Sequence, residues 1–341
     1  MNNYIVIPPY YKGTAFQEIV IHMLVAVKKT KYNIKFIGLL EPIDNTLSGF
    51  LLDDEIYTKY QSFLISDLMN LKTPAKILFL DFFNLGFDLL RYLHEQTNAN
   101  VKYGSLIHGG SFFDEDIYNM PWLSNFENAW ADLYDTMYIA SNYGKNRLPD
   151  SFKDKVKVIP WGMDGFRSEA SVNKINDVIF PHRLSPDKGV EDFIMIVDSL
   201  PQVKFIVTVP QKKSVISKNK YYNVLKKYTN VKFIFNESME NHNITLSSAR
   251  VVLSCAKQEI FGYSIAKSVA SGCIPVLPKD QCYPEFYQRK YLYKNIQDAI
   301  SMIEDVIIES KSNTLSNEGN SKCIYDFETF SFKNHFDDFF G

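Results

Sequence analysis

The sequence predicts an α/β protein built as two doubly wound, Rossmann-like domains facing each other across a cleft. Three observations carry this. Short apolar runs alternate with amphipathic stretches such as Phe16–Lys28 and Leu85–Gln96, the pattern of parallel strands joined by crossover helices. The runs fall into two series: Tyr4–Ile7, Ile34–Leu39, Ile77–Leu80, Val101–Ile107, Thr136–Ile139 and Val156–Ile159, then Val178–Phe180, Val203–Val207, Val231–Phe235, Val251–Ser254 and Pro275–Leu277. A polar, glycine-bearing stretch, Gly162–Asn176, separates the two series. The expected domains are residues 1–163 and 164–324, with 325–341 as a final helix packing back on the first domain. Open α/β sheets bind ligands beyond the carboxyl ends of their strands, so functional side chains are expected in the loops that follow strands.

Composition narrows the class. The chain has 341 residues, enough for two cores, with 46% hydrophobic and 22% charged residues, as in an ordinary globular protein. A net charge of -2 supplies no global attraction to nucleic acid or anionic membrane, so any such partner must meet a local patch. Cys255, Cys273, Cys282 and Cys323 form no CxxC pair and read as reduced, buried thiols. The start, MNNYIVIPPYY, lacks the basic and apolar regions of a signal peptide, and no apolar run is long enough to span a bilayer. A cytoplasmic protein is expected.

The most informative segment is Glu259–Gly272, EIFGYSIAKSVASG, between two apolar strands. Gly262 and Ser264 stand where its helix begins. Gly262 allows close backbone approach, Ser264 can cap, and the free N–H groups with the helix dipole favour an anion. Glu259 sets a carboxylate for hydroxyls beside that phosphate cradle, the combination a sugar nucleotide needs. Phe180–Gly189, FPHRLSPDKG, ends another strand and offers Arg183 and Lys188, two cations suited to a diphosphate. Arg183 can equally pair with Asp187 or Glu191.

Three further segments carry weaker signals. Tyr103–Ser111, YGSLIHGGS, places His108 beside two glycines at a strand end, whereas His22, His94, His182 and His242 read as structural. The first loop, PPYYKGT, has Gly13 at its turn but no GxGxxG, which argues against a nicotinamide cofactor. Asp114-Glu115-Asp116 has the look of a DxD metal motif and equally that of a plain acidic loop. Gln211–Tyr228 holds six lysines and three tyrosines, so phosphates and bases of a nucleic acid, or an anionic membrane, are conceivable partners. A solvated helix face with lysine stems over apolar surface explains the same residues.

Taken together and in order, three segments resemble the GT-B glycosyltransferases, specifically the retaining family 4 type. IASNYGKNRL with VIPWGMD is similar to a serine-led helix and interdomain "iPnGvD" segment centred on Gly162 and Asp164. FPHRLSPDKGVEDF is similar to "GRL..eKG", with His182 in place of a glycine, and KQEIFGYSIAKSVASGCIPVL to "E.fG.s..EA.asG.pvv". GCIPVLPKDQCYPEFYQRKYLY and the PHR tripeptide resemble queuosine-tRNA mannosyltransferases most. The likeness runs from about Met137 to Tyr293.

The resemblance implies a nucleotide-sugar donor, an acceptor-side domain at 1–163, a donor-binding domain at 164–324, no resident cofactor and no required metal. Arg183 and Lys188 would hold the donor diphosphate. Glu259 would accept from the sugar's hydroxyls, with Phe261, Gly262, Tyr263 and Ser264 contacting phosphate or sugar through their backbone. His108 would stand near the reactive carbon, and Gly13 would let its loop approach the diphosphate. One position departs: the family's second glutamate is Lys267 here, and a lysine cannot accept from ribose hydroxyls. Either Glu285 or Asp280 would then take that role, or the donor nucleotide would be held differently.

The expected activity is transfer of a sugar, with retention, to an acceptor hydroxyl, the acceptor being a modified nucleoside in DNA or tRNA ahead of lipid or polysaccharide. The alternatives are a sugar-nucleotide epimerase or hydrolase on the same scaffold, and a non-catalytic nucleotide-sugar-binding protein.

Overall fold

The computed structural model describes residues 1–43, 54–113, 122–166, 174–209, 213–235, 238–311 and 330–341. The chain divides into two compact units, Met1–Gly165 with Glu328–Gly341, and Phe166–Phe327.

Unit 1 holds β1 (Asn2–Ile7), β2 (Ile34–Gly38), β3 (Ala75–Phe79), β4 (Val101–Leu106), β5 (Thr136–Ile139) and β6 (Val156–Val158), in the order β2-β1-β3-β4-β5-β6. Unit 2 holds β7 (Ile175–Phe180), β8 (Lys204–Val209), β9 (Val231–Phe235), β10 (Ala249–Leu253), β11 (Ile274–Pro278) and β12 (Leu292–Tyr293), in the order β12-β11-β10-β7-β8-β9. Neighbouring strands pair in parallel in both sheets. All eleven strands expected from apolar runs are present. The twelfth, Leu292–Tyr293, has two residues and too little pattern to be read from sequence.

The reason for parallel pairing is visible in the strands. Ile77, Leu78 and Phe79, or Val251, Val252 and Leu253, are apolar without alternation and fully buried, as strands covered by helices on both faces must be. In unit 2 the ring of Phe180 stacks on Phe193 of the helix Val190–Ser199, with centroids 4.1 Å apart, and Phe205 meets Phe193 edge-on. Burying one such side chain contributes about 1.5–3 kcal/mol.

Unit 1 is completed by chain from far along the sequence. The helix Lys333–Phe340 buries His335, Phe336, Phe339 and Phe340. Asp164 fixes its entrance: one carboxylate oxygen accepts from the Ser331 hydroxyl at 2.8 Å, the other from the Phe332 N–H at 2.8 Å. A carboxylate at the start of a helix is favoured by the helix dipole. Met163 N–H donates to the Phe330 carbonyl at 2.8 Å, and a Cβ on Gly162 would meet Phe332 N at 2.3 Å. The Gly162 and Asp164 of the "iPnGvD"-like segment therefore dock this helix. At the other end Lys76 donates to the Phe339 carbonyl, and Asp338 receives Tyr138 and Lys157.

Candidate functional site

In unit 2 the strand order reverses between β7 and β10, adjacent strands whose outgoing loops diverge. Such a switch point is where doubly wound sheets take ligands. The loop after β7 carries Arg183, Ser185, Asp187 and Lys188. Arg183 donates from Nε to the Ser185 hydroxyl at 2.9 Å and from a terminal nitrogen to Asp187 at 2.6 Å. Of the two carboxylates the sequence offered as its partner, Asp187 is the one used, while Glu191 takes the Tyr221 hydroxyl. Two of five guanidinium protons are engaged there, so the fork keeps donors for an anion.

Asp187 is buried, and its carbonyl accepts from the N–H groups of Lys257 and Gln258, tying this loop to the one after β10. Gly189 ends the Pro186–Lys188 turn at φ 62°, where a Cβ would lie 1.9 Å from the Cys255 carbonyl oxygen. Only glycine lets the two loops come this close.

That approach brings Lys188 onto Glu259. Its ammonium donates to the Gln258 carbonyl at 2.7 Å and to the Glu259 carboxylate at 3.1 Å, with Asp187 3.6 Å away. One ammonium proton is left over. Arg183, Lys188 and Glu259, read from separate segments, thus form one cluster around Asp187. Gly262 follows at φ 80°, its would-be Cβ position 3.4 Å from the Glu259 side chain.

The helix begins at Tyr263 with Gly262 as its N-cap and without any side-chain cap. This corrects the reading of Ser264 as a cap: it lies inside the first turn, and its carbonyl accepts from Ser268. The first-turn N–H groups are consequently not covered by a side chain of this helix. The rings of Phe261 and Tyr263 are buried against each other, and that of Phe261 also meets Phe286, so these side chains belong to the core. Lys267, one turn on, is 1% exposed and lies 5.5 Å from the centroid of the Phe166 ring.

Beyond β11, Asp280 is exposed and accepts from the Gln281 N–H, whereas Glu285 is half-buried on the short helix Tyr283–Phe286. Burial, with Glu259 and Glu285 nearby, pushes the Cys282 thiol well above its usual range, so it is no nucleophile. Cys255, Cys273 and Cys282 are all buried free thiols. Asp114-Glu115-Asp116 and Cys323 lie outside the described residues. Among the described residues no cluster of three or more His, Cys, Asp or Glu is placed to hold a metal ion, and no helix is long and apolar enough to cross a membrane.

Unit 1 holds the two remaining predicted residues. Gly13, at φ 75°, precedes the Thr14 cap of the helix Ala15–Val27, and its N–H donates to the Gln17 side chain at 2.8 Å. His108 donates from Nε2 to the Leu80 carbonyl, and its ring contacts Phe16 and Trp161. Burial holds its pKa down to about 4, so it is a neutral imidazole with its proton on Nε2.

The lysine–tyrosine segment is corrected in part. Tyr221 and Tyr222 are buried in the unit 2 core and offer no stacking platform. Lys213, Lys218, Lys220, Lys226 and Lys227 are exposed. Sequence reasoning passed over Ser254 and Tyr283 and read His182 only as structural. His182 reaches Ser254, 72 residues on, at 2.8 Å, and Ser254 reaches Tyr283 at 2.7 Å. Only the parallel strand order brings them together, and no local motif announces that.

Comparison with known proteins agrees with this architecture. The fold is the GT-B fold of glycosyltransferases. Sucrose-phosphate synthase from Thermosynechococcus elongatus superposes with a TM-score of 0.67 at 12% identity, over 98% of this chain and 96% of that one. The catalytic domain of starch synthase IV from Arabidopsis thaliana, bound to ADP and acarbose, gives 0.67 at 10% identity over 99% and 98%. A pneumococcal O-GlcNAc transferase in complex with UDP and GlcNAc gives 0.56 at 13% identity, over 82% of this chain and 58% of that one. In sequence, a tRNA-queuosine alpha-mannosyltransferase from Drosophila melanogaster is 28% identical over 143 residues. That alignment spans 40% of this chain and 37% of the relative's length. No protein-family model matches the chain.

Proposed function

We propose that the protein is a glycosyltransferase that moves a sugar from a nucleotide-sugar donor to an acceptor hydroxyl with retention of configuration. The observation that carries this is the Lys188–Glu259 pair, a cation and a carboxylate 3.1 Å apart at the switch point of a GT-B sheet. Cleavage of the sugar–phosphate bond builds negative charge on the departing diphosphate. The spare donors of Arg183 and Lys188 and the uncapped N-terminus beginning at Gly262 would stabilise it. Glu259 would accept from the sugar's hydroxyls, and the departing phosphate would take the acceptor's proton on the same face. Neutral His108 would serve as a hydrogen-bonding group near the sugar. The reading requires no resident metal or cofactor.

For the acceptor we favour a modified nucleoside in tRNA or DNA. Five exposed lysines between 213 and 227 and the name of the Drosophila relative support this. Binding through phosphates alone would weaken steeply with added salt. Titrating labelled tRNA from low to high salt checks it, and absence of low-salt binding would remove that acceptor class.

The deciding experiment has two stages. A thermal-shift screen against UDP-, GDP-, ADP- and CDP-sugars should single out one donor by a raised Tm. Incubation of that donor with and without acceptor should then show transfer, with only slow hydrolysis alone. Lys267 favours one rival, a binding protein without turnover: its buried ammonium stands where an acceptor for ribose hydroxyls is expected. Tight donor binding with no transfer to any acceptor would support that rival.

A further inference from the structure

We propose that His182 is a fixed, neutral hydrogen-bond donor of the site, offering its Nδ1–H to the diphosphate of a bound nucleotide. This rests on the donor reading above and adds a residue that reading does not use. His182 follows β7 and Ser254 follows β10, so their bond bridges the two strands at which the sheet reverses.

The proton count along that bridge sets the histidine's tautomer. The Tyr283 hydroxyl is fully buried and has Ser254 as its one hydrogen-bond partner among the described residues. Its proton must therefore go to Ser254 Oγ, because the opposite direction would bury an O–H without an acceptor. Ser254 Oγ also accepts the Ala256 N–H at 3.2 Å, which fills both lone pairs. The serine proton then has one destination, Nε2 of His182, 2.8 Å away. A histidine that accepts at Nε2 carries its proton on Nδ1.

That Nδ1–H has no partner among the described residues, although the side chain is more than nine-tenths buried. The charged groups that bear on the ring are those of Lys188, Asp187 and Arg183. Burial and the two cations hold the imidazole neutral, so it remains a donor without adding a third charge. An unpaired donor on a largely buried ring, beside the two cations of Arg183 and Lys188, is an incomplete arrangement that an anionic oxygen completes. The glycine found here in the resembled family has no side chain to do this.

Two variants separate this role from a structural one. His182→Gln reaches Ser254 with its amide but leaves no donor at the Nδ1 position. His182→Asn places an amide donor near Nδ1 and gives up Ser254. Isothermal titration with UDP, GDP, ADP and CDP would identify the diphosphate that wild type binds. For that ligand, His182→Gln should weaken binding about tenfold, the scale of a lost hydrogen bond to a charged group, with Tm close to wild type. His182→Asn should lose at most about threefold, the scale of a shifted neutral hydrogen bond. Long-range proton–nitrogen spectra of wild type, assigned with His182→Gln, should show Nδ1 protonated and Nε2 bare. Full affinity in His182→Gln, or a proton on Nε2, overturns the proposal while the donor reading stands. A wild-type protein that binds none of the four diphosphates overturns both.

Discussion

The two units have the same architecture, six parallel strands each, and differ in the residues carried by the loops after β4 in one and after β7 and β10 in the other. In unit 2 the loops after β7 and β10 link Arg183, Asp187, Lys188 and Glu259 in a chain of charge pairs, Arg183 to Asp187, Asp187 to Lys188 and Lys188 to Glu259. In unit 1 the loop after β4 offers His108, neutral and packed among Phe16 and Trp161. The cluster of unit 2 is charged, and the histidine after β4 of unit 1 is neutral. The difference teaches that scaffold alone does not assign chemistry: the same switch-point geometry is filled by whichever residues the loops carry.

The sharpest way to break that comparison is at the charged end. Lys188→Ala or Arg183→Ala should cut transfer at least about a hundredfold, as loss of a transition-state charge contact does. Near wild-type rates in both would show that the charged end is not the phosphate site. The next effect is structural. Gly189→Ala drives a methyl into the Cys255 carbonyl at a left-handed position and should destabilise the fold by roughly 3 kcal/mol, read by denaturant unfolding.

The neutral end is tested by acid. The His108 imidazole sits at about 4 and the His335 imidazole at about 3 in the folded state, both pushed down by burial from 6.5. Between those values and 6.5 the unfolded chain binds more protons than the folded one. Stability is therefore full above about pH 6.5, the unfolded histidine value, and falls as the pH drops towards 4 and 3. Replacing His335 by Phe should flatten that loss in a pH series of melting temperatures. The smallest effect is expected at Asp164→Asn, which keeps one acceptor for Ser331 and Phe332. It should cost about 1 kcal/mol, the scale of one weakened hydrogen bond, measured the same way.

Much of this was legible in the chain. Runs such as Val251–Val252–Leu253 announce strands because burial on both faces removes polar alternation. The Ser141 cap of IASNYGKNRL is present, accepting from Gly144 N–H. Arg183, Lys188 and Glu259 were readable because charge at a strand end is conspicuous. Ser264 misled because a serine near a helix start resembles a cap until Gly262 is seen at φ 80°. Tyr221 and Tyr222 misled because lysines on either side hide an inward face. Ser254 and Tyr283 were invisible for another reason: each is an ordinary residue whose partner is set by strand order.

The helix Lys333–Phe340 has a consequence for synthesis. A Cβ on Gly104 of β4 would come within 2.7 Å of the Phe339 ring, so the sheet is shaped to receive a segment translated more than two hundred residues later. The ribosome therefore releases everything needed for unit 2 before unit 1 has its last wall. Chains that stop before residue 330 would leave the earlier-made unit with bare apolar surface, a target for chaperones and proteases.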